Sequence, residues 1–240
     1  MIAIPSVERI MKRTLIRAAL GGWATLLTAL ATAGEPDLTK TPLKDLGVEP
    51  VQPSKDEKTG FVVAGKNDTA LIRTLTEING RKIAALEKDM RPGAKSEVGS
   101  RLGFLGKDEK LLDILAEDNE FVLGKLGLTH QELAKHLHVI GAIAEKNAKP
   151  GDKSGFNFKY HDRRYNVQFN AFRGIQHSPF YDETKTNTVA VLMNLDSGAK
   201  LEYSRLVPHM IERYGFYEGH GTPYRVEPRG IVAVFDFLKK

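Results

Sequence analysis

Residues 156–169 have the sequence FNFKYHDRRYNVQF, and this stretch decides the fold of the chain. Its large apolar residues alternate with polar ones in two runs, Phe156, Phe158 and Tyr160, then Tyr165, Val167 and Phe169. Such alternation is typical of strands with one buried face. Because only residues 161–164 separate the runs, the sequence predicts two antiparallel strands joined by a tight turn.

A second hairpin is predicted further along the chain. Thr188–Met193 and Ala199–Tyr203 form its strands, and residues 172–187, with Pro179 at their centre, form a long loop between the two hairpins. Helices are predicted at Leu206–Tyr214 and from Pro228 through Leu238, since proline is favoured in the first turn of a helix.

The segment before the hairpins shows helical spacing of apolar residues. A short strand at Phe61–Val63 precedes a first helix, which begins at Asn67 or Asp68 and ends at Met90. A second helix opens at Lys107 and ends before Gly127.

A third helix begins at Thr129, which with Glu132 has the spacing of a capping box. Residues 61–149 are therefore predicted to form a helical unit. The order of elements predicts an α+β fold, in which an N-terminal three-helix unit precedes an antiparallel sheet of about four strands with two packed helices. Residues 150–240 form the α+β unit and share one core with the helices.

The N-terminal residues 1–33 have the features of an export signal, with Met11 as the true start. Basic residues at 12, 13 and 17 precede an apolar run over 18–30. Ala31-Thr32-Ala33 fits the small-x-small cleavage rule, and a cut after Ala31 fits nearly as well. A membrane anchor and an organelle transit peptide are the alternatives, but a membrane span needs about 20 predominantly apolar residues. The protein is therefore predicted to be periplasmic or secreted, without a membrane span after cleavage.

Composition limits the remaining choices. Residues 34–60 contain four prolines and few large apolar residues, which predicts a disordered proline-rich tether, although Leu43, Leu46 and Val51 could attach it to the body. The chain has no cysteine, which excludes thiol nucleophiles and disulfides. Four of the 35 basic residues lie in the signal, so the net charge of +5 overstates that of the mature chain and gives no reason to expect nucleic acid.

One candidate site lies in the segment from His209 to Gly221. On a helix, His209 and Glu212 share a face, and His220 could return from the following glycine-rich loop. These three residues are candidate metal ligands, although they lack the His-Glu-x-x-His arrangement. A surface helix carrying a His/Glu pair is the alternative.

The predicted loop 172–187 is a second candidate. His177, Ser178 and Asp182 could belong to a nucleophilic site, but the segment lacks the Gly-x-Ser-x-Gly turn that presents a serine nucleophile. A polar loop whose side chains satisfy their own backbone is the alternative.

Aromatic and arginine residues near the C-terminal end favour binding. Tyr214, Phe216, Tyr217 and Tyr224 lie close to Arg213, Arg225 and Arg229. Such groups are common anchors of interfaces, although the same aromatics could instead close the core over the end of the sheet. The predicted binding residues are Arg173, Gln176, Tyr181, Arg213, Tyr217 and Arg225.

The remaining histidines are not expected to belong to a functional site. His161 and Asp162 fall at the predicted hairpin turn, and His130, His136 and His138 are predicted to be exposed on the third helix without sharing a face.

These patterns favour a non-catalytic binding or interaction domain whose partner is a protein or a small polar ligand outside the cytoplasm. Its contact surface would combine residues 172–187 with residues 214–225. The alternative is a hydrolase, with or without a metal, that uses His209, Glu212 and His177; these groups should then surround one cleft. No phosphate, dinucleotide or calcium motif occurs, so no cofactor is predicted.

Overall fold

A computed structural model describes residues 34–46, 48 and 68–239 of the chain. The predicted export signal at 1–33, the rest of the predicted tether up to residue 60, and the predicted strand at Phe61–Val63 lie outside the described residues.

The described residues form an α+β protein with six α-helices and two antiparallel sheets. The helices are α1 (Asp68–Ile72), α2 (Ile83–Asp89), α3 (Leu111–Asn119), α4 (His130–Asn147), α5 (Leu206–Tyr214) and α6 (Pro228–Val234). The strands are β1 (Glu77–Ile78), β2 (Arg81–Lys82), β3 (Phe156–Tyr160), β4 (Arg163–His177), β5 (Lys185–Asn194) and β6 (Lys200–Ser204).

The main sheet has the order β3-β4-β5-β6, with every neighbouring pair antiparallel. The first hairpin is confirmed: Phe158 pairs with Tyr165, and both side chains are fully buried. Its turn places His161 and Asp162 at φ of 49° and 58°, a left-handed conformation that aspartate tolerates better than most residues. The predicted alternation therefore directs one face of the sheet into the core.

The predicted long loop at 172–187 is wrong in extent. Strand β4 continues to His177 and β5 starts at Lys185, so residues 178–184 alone connect them. The sequence alternation is interrupted there because four residues of β4, Phe172 to Ile175, lie opposite the single residue Asn187 of β5. An insertion of this kind is a β-bulge, which bends its strand and re-aims its side chains.

The N-terminal three-helix unit is not supported. The predicted first helix is divided into α1 and α2 by a small hairpin whose turn is Asn79-Gly80. Both turn residues have positive φ, 51° and 69°, as an Asn-Gly turn of this type requires. Ile78 is buried, as the helical spacing of apolar residues predicts, but it lies in a strand and not in a helix.

The second predicted helix begins as α3 and continues as a π-helical segment, Glu120–Leu126, which ends at Gly127 with φ of 63°. The third prediction is confirmed in detail. In α4 the Thr129 side chain accepts from the Glu132 N–H at 3.1 Å, and the Glu132 carboxylate accepts from the Thr129 N–H at 2.7 Å.

One core joins the helices and the sheet. Helix α4 packs on β4 and β5, α5 packs on α4, and α6 packs on β5 and β6. The buried apolar residues of all these elements belong to one continuous cluster. Helix α4 is buried around most of its circumference, including His130 and His136.

The described part of the proline-rich segment is attached to this body. Lys159 of β3 donates its N–H to the Pro36 carbonyl at 2.8 Å and accepts from the Leu38 N–H at 2.8 Å. A short 3₁₀ helix, Leu43–Leu46, follows, and Leu46 is buried in the core. Over residues 36–46 the segment thus differs from the expected tether, because apolar residues hold it against the sheet and α4.

No helix within the described ranges combines the length and the apolar character that a membrane crossing needs.

Candidate functional site

One of several grooves of similar volume in the described chain, of about 440 Å³, lies at one end of the sheet. The sheet contributes residues 172 and 174–177 of β4, 186–189 of β5 and 202–204 of β6. The loop residues 97–102 and Tyr224 complete the lining. Of the two segments that the sequence predicts as a contact surface, the first, 172–187, contributes several residues to this lining, whereas the second, 214–225, contributes only Tyr224.

The bulge in β4 forms one rim of the groove. Phe172 and Ile175 are 56% and 59% exposed, although both are large apolar residues. The Asn187 side chain holds the bulge by donating to the Phe172 carbonyl at 3.1 Å. The bulge therefore directs two apolar side chains outward at a fixed place.

Exposed apolar side chains are concentrated at this groove. Among the described residues, six large apolar side chains are exposed: Leu71, Leu102, Phe172, Ile175, Met193 and Tyr224. Four of the six, Leu102, Phe172, Ile175 and Tyr224, line the groove. The exposed apolar side chains of the described residues therefore lie mostly at one groove.

Polar groups in the groove are partly preorganised and partly free to bind. Ser204 donates its hydroxyl to Gln176 Oε1 at 2.8 Å and accepts from the Leu206 N–H, which fixes the Gln176 side chain. Glu97, Arg101 and Glu202 have no hydrogen-bond or ion-pair partner among the described residues. The groove therefore offers two unpaired carboxylates and one unpaired guanidinium to a ligand.

Strand β6, which borders the groove, is an open edge of the sheet. Arg205 donates its N–H to the Thr188 carbonyl at 3.1 Å, and Asn194 donates to the Ala199 carbonyl at 2.9 Å. Hydrogen-bonded and non-hydrogen-bonded pairs alternate in an antiparallel ladder. The backbone groups of Lys200, Glu202 and Ser204 consequently point away from β5, and no described residue makes a hydrogen bond with them.

The predicted candidate His209 belongs to a different, half-buried cluster. Its Nε2 contacts Asp182 Oδ2 at 2.7 Å and Thr184 Oγ1 at 3.1 Å, and Tyr214 donates its hydroxyl to the same Asp182 oxygen at 2.7 Å. Burial raises the pKa of Asp182, but the hydrogen bonds and charge of His209, followed by Tyr214 and Ser178, outweigh burial and hold the pKa well below its usual range. The Asp182 carboxylate thus accepts hydrogen bonds from the side chains around it.

This cluster does not have the arrangement of a nucleophilic triad. In a triad the histidine uses one ring nitrogen for the nucleophile and the other for the carboxylate. Here Asp182 and Thr184 contact the same nitrogen of His209, and Ser178 interacts with Asp182. The contacts instead tie the 178–184 loop to α5.

The other residues of the hydrolase hypothesis have separate partners. Glu212 contacts His138 Nε2 at 3.0 Å, whereas His177 lines the groove. His220 lies 3.5 Å from Glu117 and 3.7 Å from Glu227. Within the described ranges, no group of three or more His, Asp or Glu residues could hold a metal ion.

The predicted binding residues are dispersed. Gln176 lines the groove, and Arg173 is exposed on the bulge. Tyr181 donates its hydroxyl to Asp89 at 2.5 Å beneath the Arg81 guanidinium, and Arg213 has its Nε buried.

Two of the predicted binding residues are interior. Arg225 forms a buried two-point ion pair with Asp118, at 2.6 and 3.0 Å. Tyr217 is fully buried, and its hydroxyl lies 2.9 Å from His130 Nδ1. Tyr217 and Arg225 thus stabilise the interior of the protein. Of the four aromatic residues near the C-terminal end, Tyr214, Phe216 and Tyr217 are buried in the core, whereas Tyr224 lies at the groove.

The prediction of exposed histidines on α4 is wrong for His130 and His136, because α4 is covered on several sides. His130 Nε2 lies 3.0 Å from Asn119 Oδ1, an acceptor, so this nitrogen carries the proton and Nδ1 accepts from Tyr217. Desolvation lowers the pKa of His130 to about 4, which keeps the ring neutral.

Sequence reasoning missed the loop residues 97–102 and the β6 edge. The available signal was weak: Phe172-Arg173-Gly174-Ile175 places two large apolar residues in a segment that breaks the alternation of β4. Neither the loop nor the edge has a comparable local signal.

Fold and site together define an α+β protein with an apolar groove beside an open sheet edge. In comparisons with protein-family models, with curated proteins and with solved structures, nothing matches this chain.

Proposed function

We propose that this chain is a non-catalytic binding protein whose ligand occupies the groove between loop 97–102, the bulge of β4 and the end of β6. The observation that carries the proposal is the concentration of exposed apolar side chains, since four of the six among the described residues line this one groove. Leaving them in water is unfavourable, and covering them would contribute about 25 cal/mol per Å² of buried apolar area.

The size and lining of the groove support a ligand with both apolar and polar groups. Its volume of about 440 Å³ lies in the range of ligand pockets. Gln176 and the unpaired Glu97, Arg101 and Glu202 supply orienting groups beside the apolar rim. The hydrolase alternative has no such support, because His209, Glu212 and His177 have separate sets of contacts.

Nuclear magnetic resonance with small capped amino acids tests the groove. We expect N-acetyl-leucine amide and N-acetyl-phenylalanine amide to shift the backbone amides of residues 97–102 and 172–177 in a saturable way. Replacing both rim residues, Phe172→Ser with Ile175→Ser, should abolish these shifts, because it removes apolar surface without disturbing the core.

The matched control replaces the two exposed large apolar residues of the described ranges that do not line the groove, Leu71→Ser with Met193→Ser. This variant should retain the shifts. Shifts that are absent, or that persist in the Phe172/Ile175 variant, would exclude the groove as the binding site.

We also propose that the protein acts outside the cytoplasm, in the periplasm or after secretion. The support is the basic start, apolar run and Ala31-Thr32-Ala33 of the N-terminal segment. Expression of the full chain in a bacterium, followed by mass spectrometry of the exported fraction, should give a product that begins at Gly34 or Thr32. An intact chain confined to the cytosol would exclude export.

A further inference from the structure

We propose that the ligand is an extended peptide segment of a partner protein, which pairs with β6 as an added strand and places its side chains in the groove. This inference rests on the proposed binding function and names the class of ligand. It joins two observations, the apolar groove and the open edge that borders it.

The backbone of β6 specifies an extended peptide. Lys200, Glu202 and Ser204 direct their N–H and C=O groups away from β5, and no described residue pairs with them. Such alternating donors and acceptors are satisfied together by another strand, which is the basis of peptide recognition by strand addition. Glu202 and Ser204 also line the groove, so a strand added there would reach its apolar rim.

The opposite edge of the same sheet contains a small example of this pairing within the chain. There Asp37 pairs in parallel with Lys159 of β3, through hydrogen bonds of Lys159 to Pro36 and Leu38. The edge at β3 is thus bridged at Lys159 by an extended segment of the chain, whereas β6 has no such bridge among the described residues.

Charge gives the peptide a preferred sequence. Glu97 and Glu202 are unpaired carboxylates in the groove, against the single unpaired cation Arg101. Opposite charges on directly paired residues of neighbouring strands attract each other. The added strand should therefore carry Lys or Arg opposite Glu202, with apolar residues nearby to cover Phe172 and Ile175.

The edge is also restricted enough to avoid indiscriminate pairing. Strand β6 has five residues and carries charged side chains at Lys200 and Glu202. Short, charged edges resist association with arbitrary strands. Binding then depends on complementarity of the peptide as well as on its backbone.

The test begins with selection of peptides from a displayed random dodecapeptide library on the full chain. The affinities of the enriched peptides are then measured by fluorescence anisotropy for the unmodified chain and for three variants. Glu202→Pro removes an outward N–H while leaving the ladder to β5, and Glu202→Gln keeps the N–H but removes the charge. The Phe172→Ser/Ile175→Ser variant removes the rim.

We expect Glu202→Pro to weaken binding about tenfold or more, since it removes a hydrogen bond and obstructs the approach of a strand. Glu202→Gln should weaken only peptides that carry a basic residue, and by a smaller factor. Thermal unfolding of each variant shows whether the fold is kept. N-methylation of the peptide, one residue at a time, adds a test that needs no protein variant: strand addition predicts loss of binding at every second position.

The outcomes separate the two proposals. Peptides that require Phe172 and Ile175 but tolerate Glu202→Pro, and show no alternation on N-methylation, would overturn strand addition and leave the groove as a binding site. Absence of enriched peptides would also overturn strand addition, while shifts with the capped amino acids would still support the groove. Failure of both would overturn both proposals.

Discussion

The two edges of the main sheet differ in what lies beside them. At β3 the backbone of Lys159 is paired with Pro36 and Leu38, and His161 donates its N–H to the Thr39 hydroxyl at 2.8 Å. At β6 the outward groups of Lys200, Glu202 and Ser204 have no partner among the described residues. The edge at β3 is therefore held to the body around Lys159, whereas the outward groups of β6 are not paired within the described part of the chain.

This difference shows how a chain can stabilise one edge of a sheet while the other edge keeps unpaired backbone groups among the described residues. The covering segment at β3 is held by Leu46, which is buried in the core beside α4. The side of β6 instead faces a groove whose apolar residues are exposed. The bridged edge contributes to stability, whereas the edge at β6 carries the exposed residues Lys200 and Glu202.

The largest effect is expected from removing the anchor of the bridged edge. Leu46→Ala should lower the free energy of unfolding by about 2–5 kcal/mol, because it leaves a cavity in the core. Denaturant unfolding measures this loss, and hydrogen exchange of the Lys159 amide should become faster as the cover loosens.

The control for this prediction is Leu71→Ala, since Leu71 is 41% exposed. It should change the free energy of unfolding by no more than about 0.5 kcal/mol. Equal losses in the two variants would show that Leu46 is not an anchor.

A rise in pH should act on the segment between α5 and α6. Glu218 belongs to the segment that carries Tyr224, it is fully buried, and its Oε1 has no partner among the described residues. Burial raises the pKa of Glu218 from 4.5 to about 8, despite the opposing hydrogen bond of Thr222 and charge of Arg225. The folded state therefore binds more protons than the unfolded state between these two values.

Stability should consequently fall as the pH rises from about 4.5 to about 8, by at most about 1.4 kcal/mol per pH unit from this group. Unfolding measured across this range should show the slope in the natural chain and a reduced slope in Glu218→Gln. The exposed Glu117→Gln is the control and should keep the slope. An equal slope in all three chains would assign the effect to other groups.

A fall in pH should act beside the bridged edge. His136 Nδ1 lies 2.9 Å from the hydroxyl of Tyr160 in β3. Desolvation, then the charges of His161 and Lys135, lower the pKa of His136 to about 4, with Glu132 opposing them. Because the unfolded histidine binds a proton near pH 6.5, stability should decrease as the pH falls from about 6.5 to about 4.

His136→Gln should reduce this low-pH slope by the contribution of one group, again at most about 1.4 kcal/mol per pH unit. The half-exposed His220→Gln should leave the slope unchanged. A slope that is identical in His136→Gln and the natural chain would contradict the assignment to His136.

Local patterns account for the parts of the fold that the sequence predicts well. The alternation around Tyr165 specifies a strand within a few residues, and the Thr129–Glu132 capping box specifies the start of α4. The prediction of one long first helix is wrong. The spacing of apolar residues through Ile78 fits a helix, but Asn79-Gly80 favours a tight hairpin turn, and the chain forms the hairpin. The length of β4 is not predicted, because the strand resumes its pairing with β5 only after the bulge, and this pairing is not visible in the local sequence.

The groove is harder to predict than the fold because it depends on tertiary neighbours. Gln176 was identified from its polar segment, but Glu97 and Glu202 come together only through the fold. Whether β6 is an edge depends on the order of strands, which alternation does not encode. The burial of Tyr217 likewise depends on its contact with His130, far away in sequence.

The smallest and most direct comparison places proline on each edge. Lys159→Pro removes an N–H that donates to Pro36, so it should lower the free energy of unfolding by about 1 kcal/mol or more. Glu202→Pro removes an N–H that has no described partner, and proline is tolerated at such edge positions. The excess loss in Lys159→Pro, measured by denaturant unfolding, isolates the contribution of the covering segment.

Lys159→Ala and Glu202→Ala correct for the lost side chains. An equal loss of stability in the two proline variants would mean that the two edges are alike. The proposed binding edge at β6 would then lose its basis.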